Sequence, residues 1–86
     1  MSAILNTYNR KKIAFTKGKG SFLYGTNGKK YLDFVQGIAV NCLGHANNYL
    51  INSISKQSKK LWHVSNAFII PEQERLAKRL KQKTFA

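Results

Sequence analysis

The chain has 86 residues, enough for one small domain or part of a larger one, and a formal net charge of +12. Hydrophobic residues make up 43% of it, which excludes a disordered tail, and its single cysteine excludes an internal disulfide. No apolar run approaches the ~20 residues of a membrane span. Because the first residues also lack a signal-peptide pattern, we expect a cytoplasmic protein.

The positive charge is open to two interpretations. Fifteen Lys and Arg against three Asp and Glu is a balance found in proteins that bind nucleic acid. The lysines are scattered along the chain, however, which is typical of a solvated surface. We therefore expect no nucleic-acid partner and keep a small basic nucleic-acid-binding module as the alternative function.

The first third of the chain predicts an irregular arm followed by a hairpin. Residues Ile4–Phe15 have no clean period and end in a short candidate strand. Two aromatic-rich stretches, Ser21–Tyr24 and Lys30–Val35, are interpreted as paired strands. Between them Asn27-Gly28 predicts a tight type I′ turn, in which both residues take a positive φ.

Gly18 and Gly20 raise the question of a phosphate-binding loop. Such a loop follows a strand and opens a helix, whereas these glycines precede the first predicted strand of the hairpin. We interpret both as entry turns. Tyr24, Tyr31 and Phe34 could form a base-stacking platform, but a hairpin must bury one face, so we expect them in a core.

The segment Gln36–His45 has small, mostly apolar residues and a glycine near each end. It is too irregular for a long strand and too apolar for an ordinary exposed loop. We expect it to be buried against another domain, another subunit or a ligand. Within it, Cys42 and His45 could act as nucleophile and base, but a small buried thiol is the simpler interpretation. No recognised ligand spacing exists, so no metal site is predicted.

Two helices are predicted in the second half. Asn47 and Asn48 are good N-caps for a helix that ends near Leu61. After a linker over His63–Ile70, Pro71 marks the first turn of the second helix. The predicted apolar faces are Leu50, Ile51, Ile54, Leu61 and Trp62 on the first helix, and Leu76, Ala77 and Leu80 on the second. These elements together predict an α+β fragment with an N-terminal arm, a hairpin or meander, and two helices.

Several blocks, taken in order, resemble a known family. They read GKGSFLY at 18–24, TNGKKYLDF at 26–34, GIAVNCLGH at 37–45, LWHVSN at 61–66 and PEQERLA at 71–77. This succession resembles the N-terminal part of the class III, pyridoxal-phosphate-dependent aminotransferases over essentially the whole chain. The third and fourth blocks are most similar to the acetylornithine and succinylornithine group.

The resemblance implies a fold-type I α/β enzyme with a large cofactor domain and a smaller domain. Residues 1–86 would form the N-terminal share of the small domain and the lead-in to the large one, which is absent here. The implied full-length enzyme is a homodimer that uses pyridoxal 5′-phosphate. It would move the amino group of N-acetylornithine to 2-oxoglutarate in arginine biosynthesis, although succinylornithine, ornithine and 4-aminobutyrate stay open as donors.

The resemblance also implies substrate-binding positions. In the apolar segment they are Gly37, Ile38, Ala39, Val40 and Asn41, and in the linker they are Asn66 and Phe68. No catalytic, cofactor-binding or metal-binding residue is assigned, because the family's phosphate-binding segment and Schiff-base lysine match nothing in this chain. We therefore expect the chain alone to be inactive, and keep an inactive truncated gene product as a further alternative.

Two positions depart from the family pattern. Asn47 and Asn48 stand where the family usually has a histidine and a proline, and we expect helix capping by asparagine to replace them. Ile69 stands where relatives often carry a tyrosine. The resemblance therefore implies no aromatic contact at that position.

Overall fold

The computed structural model of the protein describes residues 2–85 and confirms an α+β arrangement. Its elements are β1 (Phe15–Lys19), β2 (Phe22–Gly25), β3 (Lys30–Leu32), α1 (Gln36–Ala39), α2 (Asn48–Ser58) and α3 (Pro71–Lys83). Two compact units can be distinguished, one ending at Ser53 and the other beginning at Ile54. Each unit is described by itself.

The strands form one antiparallel three-stranded sheet in the order β1-β2-β3. The predicted hairpin is its β2–β3 half, and β1 begins at Phe15, where the arm was expected to finish. Gly20, at φ 57°, makes the tight turn between β1 and β2, as predicted. Gly18 is not an entry turn, because it lies inside β1 opposite Leu23.

The turn between β2 and β3 is not the predicted type I′. Gly28 has φ 76° and donates its N–H to the carbonyl of Gly25 at 3.1 Å, but Asn27 has no positive φ. The Gly25 N–H donates to the Lys29 carbonyl at 2.9 Å, so residues 26–28 form a three-residue loop. Such loops commonly combine a type I turn with one left-handed residue. Asn27 acts through its side chain, which accepts from the N–H of Lys29 at 3.0 Å and donates to the Tyr31 hydroxyl at 2.8 Å.

The aromatic residues of the sheet contact one another or lysines, but they form no core. Phe15 and Tyr31 meet edge to face at 5.5 Å, and the Lys17 ammonium lies 4.8 Å from the Tyr24 ring centroid. No hydrophobic side chain among residues 2–85 is buried, and Phe34 is 87% exposed. The predicted aromatic core is therefore wrong for this chain, in which Tyr24 and Tyr31 are only half-buried.

The first long helix begins as predicted and ends earlier. The Asn47 side chain accepts from the N–H of Leu50 at 3.2 Å, as an N-cap does. α2 stops at Ser58 rather than near Leu61. The Trp62 indole N–H donates to the Ser58 carbonyl at 2.6 Å, which satisfies one of the carbonyls left open at the helix end.

The second long helix has the predicted charge pattern. Pro71 occupies its first turn with Glu72 and Glu74, and lysines occupy its last turn, an arrangement that suits the helix dipole. Arg75 contacts Glu72 at 3.3 Å and Lys78 contacts Glu74 at 3.5 Å, both in exposed positions. Such surface pairs are worth only ~0.2–1 kcal/mol each.

The predicted apolar faces of both long helices exist but are not buried. Leu76 and Leu80 on α3 are exposed, as are Leu50, Ile51 and Ile54 on α2. Leu61 and Trp62, which were predicted for the first face, lie beyond the end of α2 and are also exposed. No helix in the described part of the chain is long and apolar enough to cross a membrane.

We expect the 86-residue chain on its own to unfold without a cooperative transition. It buries no hydrophobic side chain within residues 2–85, and a small sheet needs a packed face for independent stability. Urea titration followed by far-UV circular dichroism, with amide dispersion by NMR, would check this. A sigmoidal transition with well-dispersed amide signals would contradict it.

Candidate functional site

The segment after β3 contains a helical turn of left-handed sense. Gln36, Gly37, Ile38 and Ala39, which make up α1, have φ values of 56°, 64°, 62° and 60°. Glycine takes this conformation freely, whereas other residues pay roughly 1–2 kcal/mol each. The β-branched Ile38 is the most unusual occupant. Because such strain concentrates at functional sites, this turn is the leading candidate.

Local hydrogen bonds satisfy the backbone of the turn. The Val35 carbonyl accepts from the N–H groups of Ile38 at 2.9 Å and Ala39 at 3.1 Å, and the Gln36 carbonyl accepts from that of Val40 at 2.9 Å. A right-handed turn would satisfy the same groups without strain. The left-handed sense must therefore be imposed by contacts outside the turn.

Asp33 and His45 supply contacts at the two ends of this segment. The His45 Nε2 lies 2.6 Å from the Asp33 Oδ2, and the two side chains are only 19% and 6% exposed. The other carboxylate oxygen accepts from the N–H groups of Gln36 at 2.9 Å and Val35 at 3.0 Å. The Gln36 N–H, the His45 side chain and the Val35 N–H together lower the pKa of Asp33 below its ordinary value of 3.8.

Both residues are anchored to the β1–β2 turn by their backbones. Gly20 exchanges two hydrogen bonds with His45, at 2.9 and 2.8 Å, and the Asp33 N–H donates to the Ser21 carbonyl at 2.8 Å. Residues 34–44 therefore leave and return to the sheet at adjacent points. The side-chain contact between Asp33 and His45 closes the base of this loop.

Two glycines make room for the closure. A Cβ on Gly18 would lie 2.5 Å from the Cγ of His45, which no real structure tolerates. Gly44 has φ 80°, and a Cβ there would lie 3.0 Å from the Gly20 carbonyl oxygen. Small residues here allow the His45 ring to lie against β1 and the chain to pass close to the sheet.

A polar cavity of about 250 Å³ lies beside the closure. Asp33, Gln36, Asn41 and His45 line it together with the backbone around Gly20. Cys42 is at its edge and exposed. The expectation of a buried thiol is therefore wrong for this chain, since the described residues around Cys42 leave it exposed.

The predicted substrate-binding residues fall into two groups. Gly37, Ile38 and Ala39 form the left-handed turn itself, and Val40 and Asn41 follow it directly. Asn66 and Phe68 are exposed and belong to the second unit. They lie in the non-helical stretch where the linker was predicted.

The apolar loop is not covered in this chain. Ile38 is 87% exposed, and Val40 is exposed as well. The predicted burial of the loop against another domain, a subunit or a ligand stays a prediction.

The described residues do not form a cradle for a phosphate-bearing cofactor. Gly18 lies within a strand, and the His45 ring occupies the space beside it. The N-terminus of α3 carries Glu72 and Glu74, whose charge disfavours an anion there. Among residues 2–85 no cluster of His, Cys, Asp or Glu could hold a metal ion.

The comparisons with known proteins agree on one group. A sequence model of the family described as aminotransferase class-III matches residues 4–86. The acetylornithine aminotransferase of Rhodobacter capsulatus is 52% identical over 86 residues, which is all of this chain and 22% of that protein.

The solved structures that this chain resembles are also aminotransferases. The crystal structure of N-acetylornithine aminotransferase from Stenotrophomonas maltophilia is 33% identical with a TM-score of 0.78, over 85% of this chain and 20% of that one. Adenosylmethionine-8-amino-7-oxononanoate aminotransferase from Methanocaldococcus jannaschii is 29% identical with a TM-score of 0.84, over 95% and 20%. The chain therefore spans about a fifth of the length of the relatives it matches.

We expect Gly18→Ala to destabilise the complete protein that contains these residues by about 1–3 kcal/mol, the usual effect of overpacking. The new Cβ would collide with the His45 ring, 2.5 Å away. In a His45→Gly background most of this cost should disappear. Gly28→Ala is the matched control, since it meets no atom within 4 Å and carries only the strain of its φ of 76°. Thermal unfolding midpoints measure all four variants. An equal cost of Gly18→Ala in both backgrounds would contradict the collision.

The lowered pKa of Asp33 predicts a pH dependence of stability. The carboxylate is favoured in the folded state, so its contribution is present above its ordinary pKa of 3.8 and is lost as the pH falls through the lower folded pKa. The difference in unfolding midpoint between the wild-type protein and Asp33→Asn should therefore shrink as the pH falls below 3.8. Glu72→Gln, in an exposed pair, is the control. A difference that persists unchanged into strong acid would refute this.

Proposed function

The chain belongs to the class-III aminotransferase family, and on that premise we propose that it is the N-terminal part of a pyridoxal-phosphate-dependent transaminase. The proposed reaction transfers the amino group of N-acetylornithine to 2-oxoglutarate, as a step of arginine biosynthesis. The observation that carries it is the match to an acetylornithine aminotransferase over the whole chain at 52% identity.

In this proposal residues 1–86 are the N-terminal share of the small domain of a fold-type I enzyme, together with the lead-in to its large domain. The share of about a fifth of each relative's length supports this. The exposed apolar side chains of α2 and α3 would pack against the remainder of the protein. A homodimer in the cytoplasm, with active sites at the subunit interface, completes the proposal.

The substrate-binding role is proposed for the loop Gly37–Asn41, with Asn66 and Phe68 as further contacts. The left-handed turn supports it, because backbone strain in an exposed loop has no evident structural benefit and is common at binding sites. The small residues Gly37 and Ala39 would let a substrate come close to the backbone. The apolar side chains of Ile38 and Val40 would exclude water from one side of a bound donor.

Pyridoxal phosphate, when bound, supplies the electron sink that amino-group transfer needs. The described residues do not fit its phosphate, so we propose that the rest of the protein holds it. The role of residues 1–86 is then to bind and orient the amino donor. The alternative of a basic nucleic-acid module has no contact that favours it, since Arg10, Lys17 and Lys30 lie over aromatic rings of their own chain.

The test begins with the mass of the protein as its own cells produce it. We expect a polypeptide several times longer than 86 residues, which gains a visible absorbance band when pyridoxal phosphate is added. Its kcat/KM with 2-oxoglutarate as acceptor should be highest for N-acetylornithine among the donors N-acetylornithine, succinylornithine, ornithine and 4-aminobutyrate. The isolated 86-residue chain is the negative control. Absence of the cofactor band from the complete protein would overturn the proposal.

A further inference from the structure

The left-handed turn needs a contact that favours it over the right-handed form. Three of its residues, Gln36, Ile38 and Ala39, are not glycine and take positive φ values. Their combined strain is on the order of several kcal/mol. Since the hydrogen bonds within the turn do not depend on its handedness, other contacts of the described segment must offset this strain.

The Asp33 carboxylate is positioned to do so. One oxygen accepts from the N–H groups of Val35 and Gln36 and so fixes the direction in which the chain enters the turn. The other oxygen accepts from the His45 Nε2 and so fixes the point to which the chain returns. Both residues are tied by backbone hydrogen bonds to Gly20 and Ser21, so the span available to residues 34–44 is set by the sheet.

We propose that Asp33 and His45 are positioning residues whose side-chain contact holds the left-handed turn at Gln36–Ala39 in the shape that receives the amino donor. This inference rests on the proposed function for the role of the turn. Neither side chain needs to touch the substrate. Their effect passes through the backbone to Ile38 and Val40, the exposed apolar side chains that the turn presents.

The geometry separates this role from general stabilisation. A pair that served only to hold the fold together would have no reason to connect the entry and the return of one strained loop. Charge-assisted hydrogen bonds are among the stronger contacts available to a protein. Here one carboxylate makes three of them within 3.0 Å.

The first test is kinetic and uses the complete holoenzyme. Asp33→Asn and His45→Ala should each raise KM for the amino donor about 10- to 100-fold, because they remove binding that the ground state and the transition state share, while kcat changes less. His45→Gln keeps an N–H that can reach the carboxylate, so it should stay close to wild type. Glu72→Gln, which removes one partner of an exposed pair in α3, is the matched control and should leave KM unchanged.

A suppressor variant separates positioning from loss of structure. Gln36→Gly and Ala39→Gly each remove the strain of a positive φ. If the pair acts by holding the turn, combining either change with Asp33→Asn should lower the raised KM part of the way back to the wild-type value. Variants that bind less cofactor or melt earlier, yet keep a normal KM in the active fraction, would show a purely structural role and overturn the proposal.

The second test does not depend on transaminase activity. Hydrogen exchange of the complete protein should show faster exchange of the amides of Ile38, Ala39 and Val40 in Asp33→Asn and His45→Ala, with the β1–β2 ladder unchanged. If no donor is turned over by the wild-type protein, the proposed function fails and this measurement still decides whether the pair holds the turn. Unchanged exchange at these amides would overturn the inference.

Discussion

One carboxylate organises the first unit of this protein. Asp33 follows the last strand, and its two oxygens connect the start of a strained turn to a histidine that the sheet holds by backbone hydrogen bonds. A side chain at position 18 would meet the histidine ring, and a side chain at position 44 would meet the backbone of Gly20 in the β1–β2 turn. The exposed loop owes its definite shape to the contact of Asp33 with His45.

Little else in the chain is held by packing. The described residues bury no hydrophobic side chain, so the sheet and helices rest on hydrogen bonds, caps and a few ring contacts. In water such contacts contribute about 1 kcal/mol each, less than the entropy of ordering the residues that make them. The exposed apolar faces of α2 and α3 are the surfaces that, in the proposed function, pack against the remainder of the protein.

The predictions of helix starts in the second half of the chain rest on short-range signals. The Asn47 cap and the Pro71 helix start depend on residues within one turn of the chain, and both are confirmed. The need for glycine at position 18 could not be predicted, because it arises from a histidine 27 positions later whose ring fills the space beside it. Two short-range predictions were nevertheless wrong, because the turn at Asn27-Gly28 is not of type I′ and α2 ends at Ser58 rather than near Leu61.

The geometry of the candidate site could also be predicted only in part from the sequence. The resemblance placed the substrate loop at Gly37–Asn41. Of the four residues in the left-handed turn, only Gly37 is of a type that commonly takes a positive φ, so Gln36, Ile38 and Ala39 did not predict the turn. His45 was considered only as a possible base for Cys42, and no contact with Asp33 was predicted. Their pairing follows from the β1–β2 turn, which brings together two residues that are twelve positions apart.

The backbone frame is shared more widely than any one substrate. The fold matches an N-acetylornithine aminotransferase and an adenosylmethionine-8-amino-7-oxononanoate aminotransferase with TM-scores of 0.78 and 0.84. A frame common to both cannot by itself choose the donor. In the proposed function, donor selection comes from side chains that this frame presents, such as Ile38, and from the rest of the protein. The contact of Asp33 with His45 is compatible with a shared backbone and different substrates. It fixes the backbone of the loop and leaves the exposed side chains free to differ.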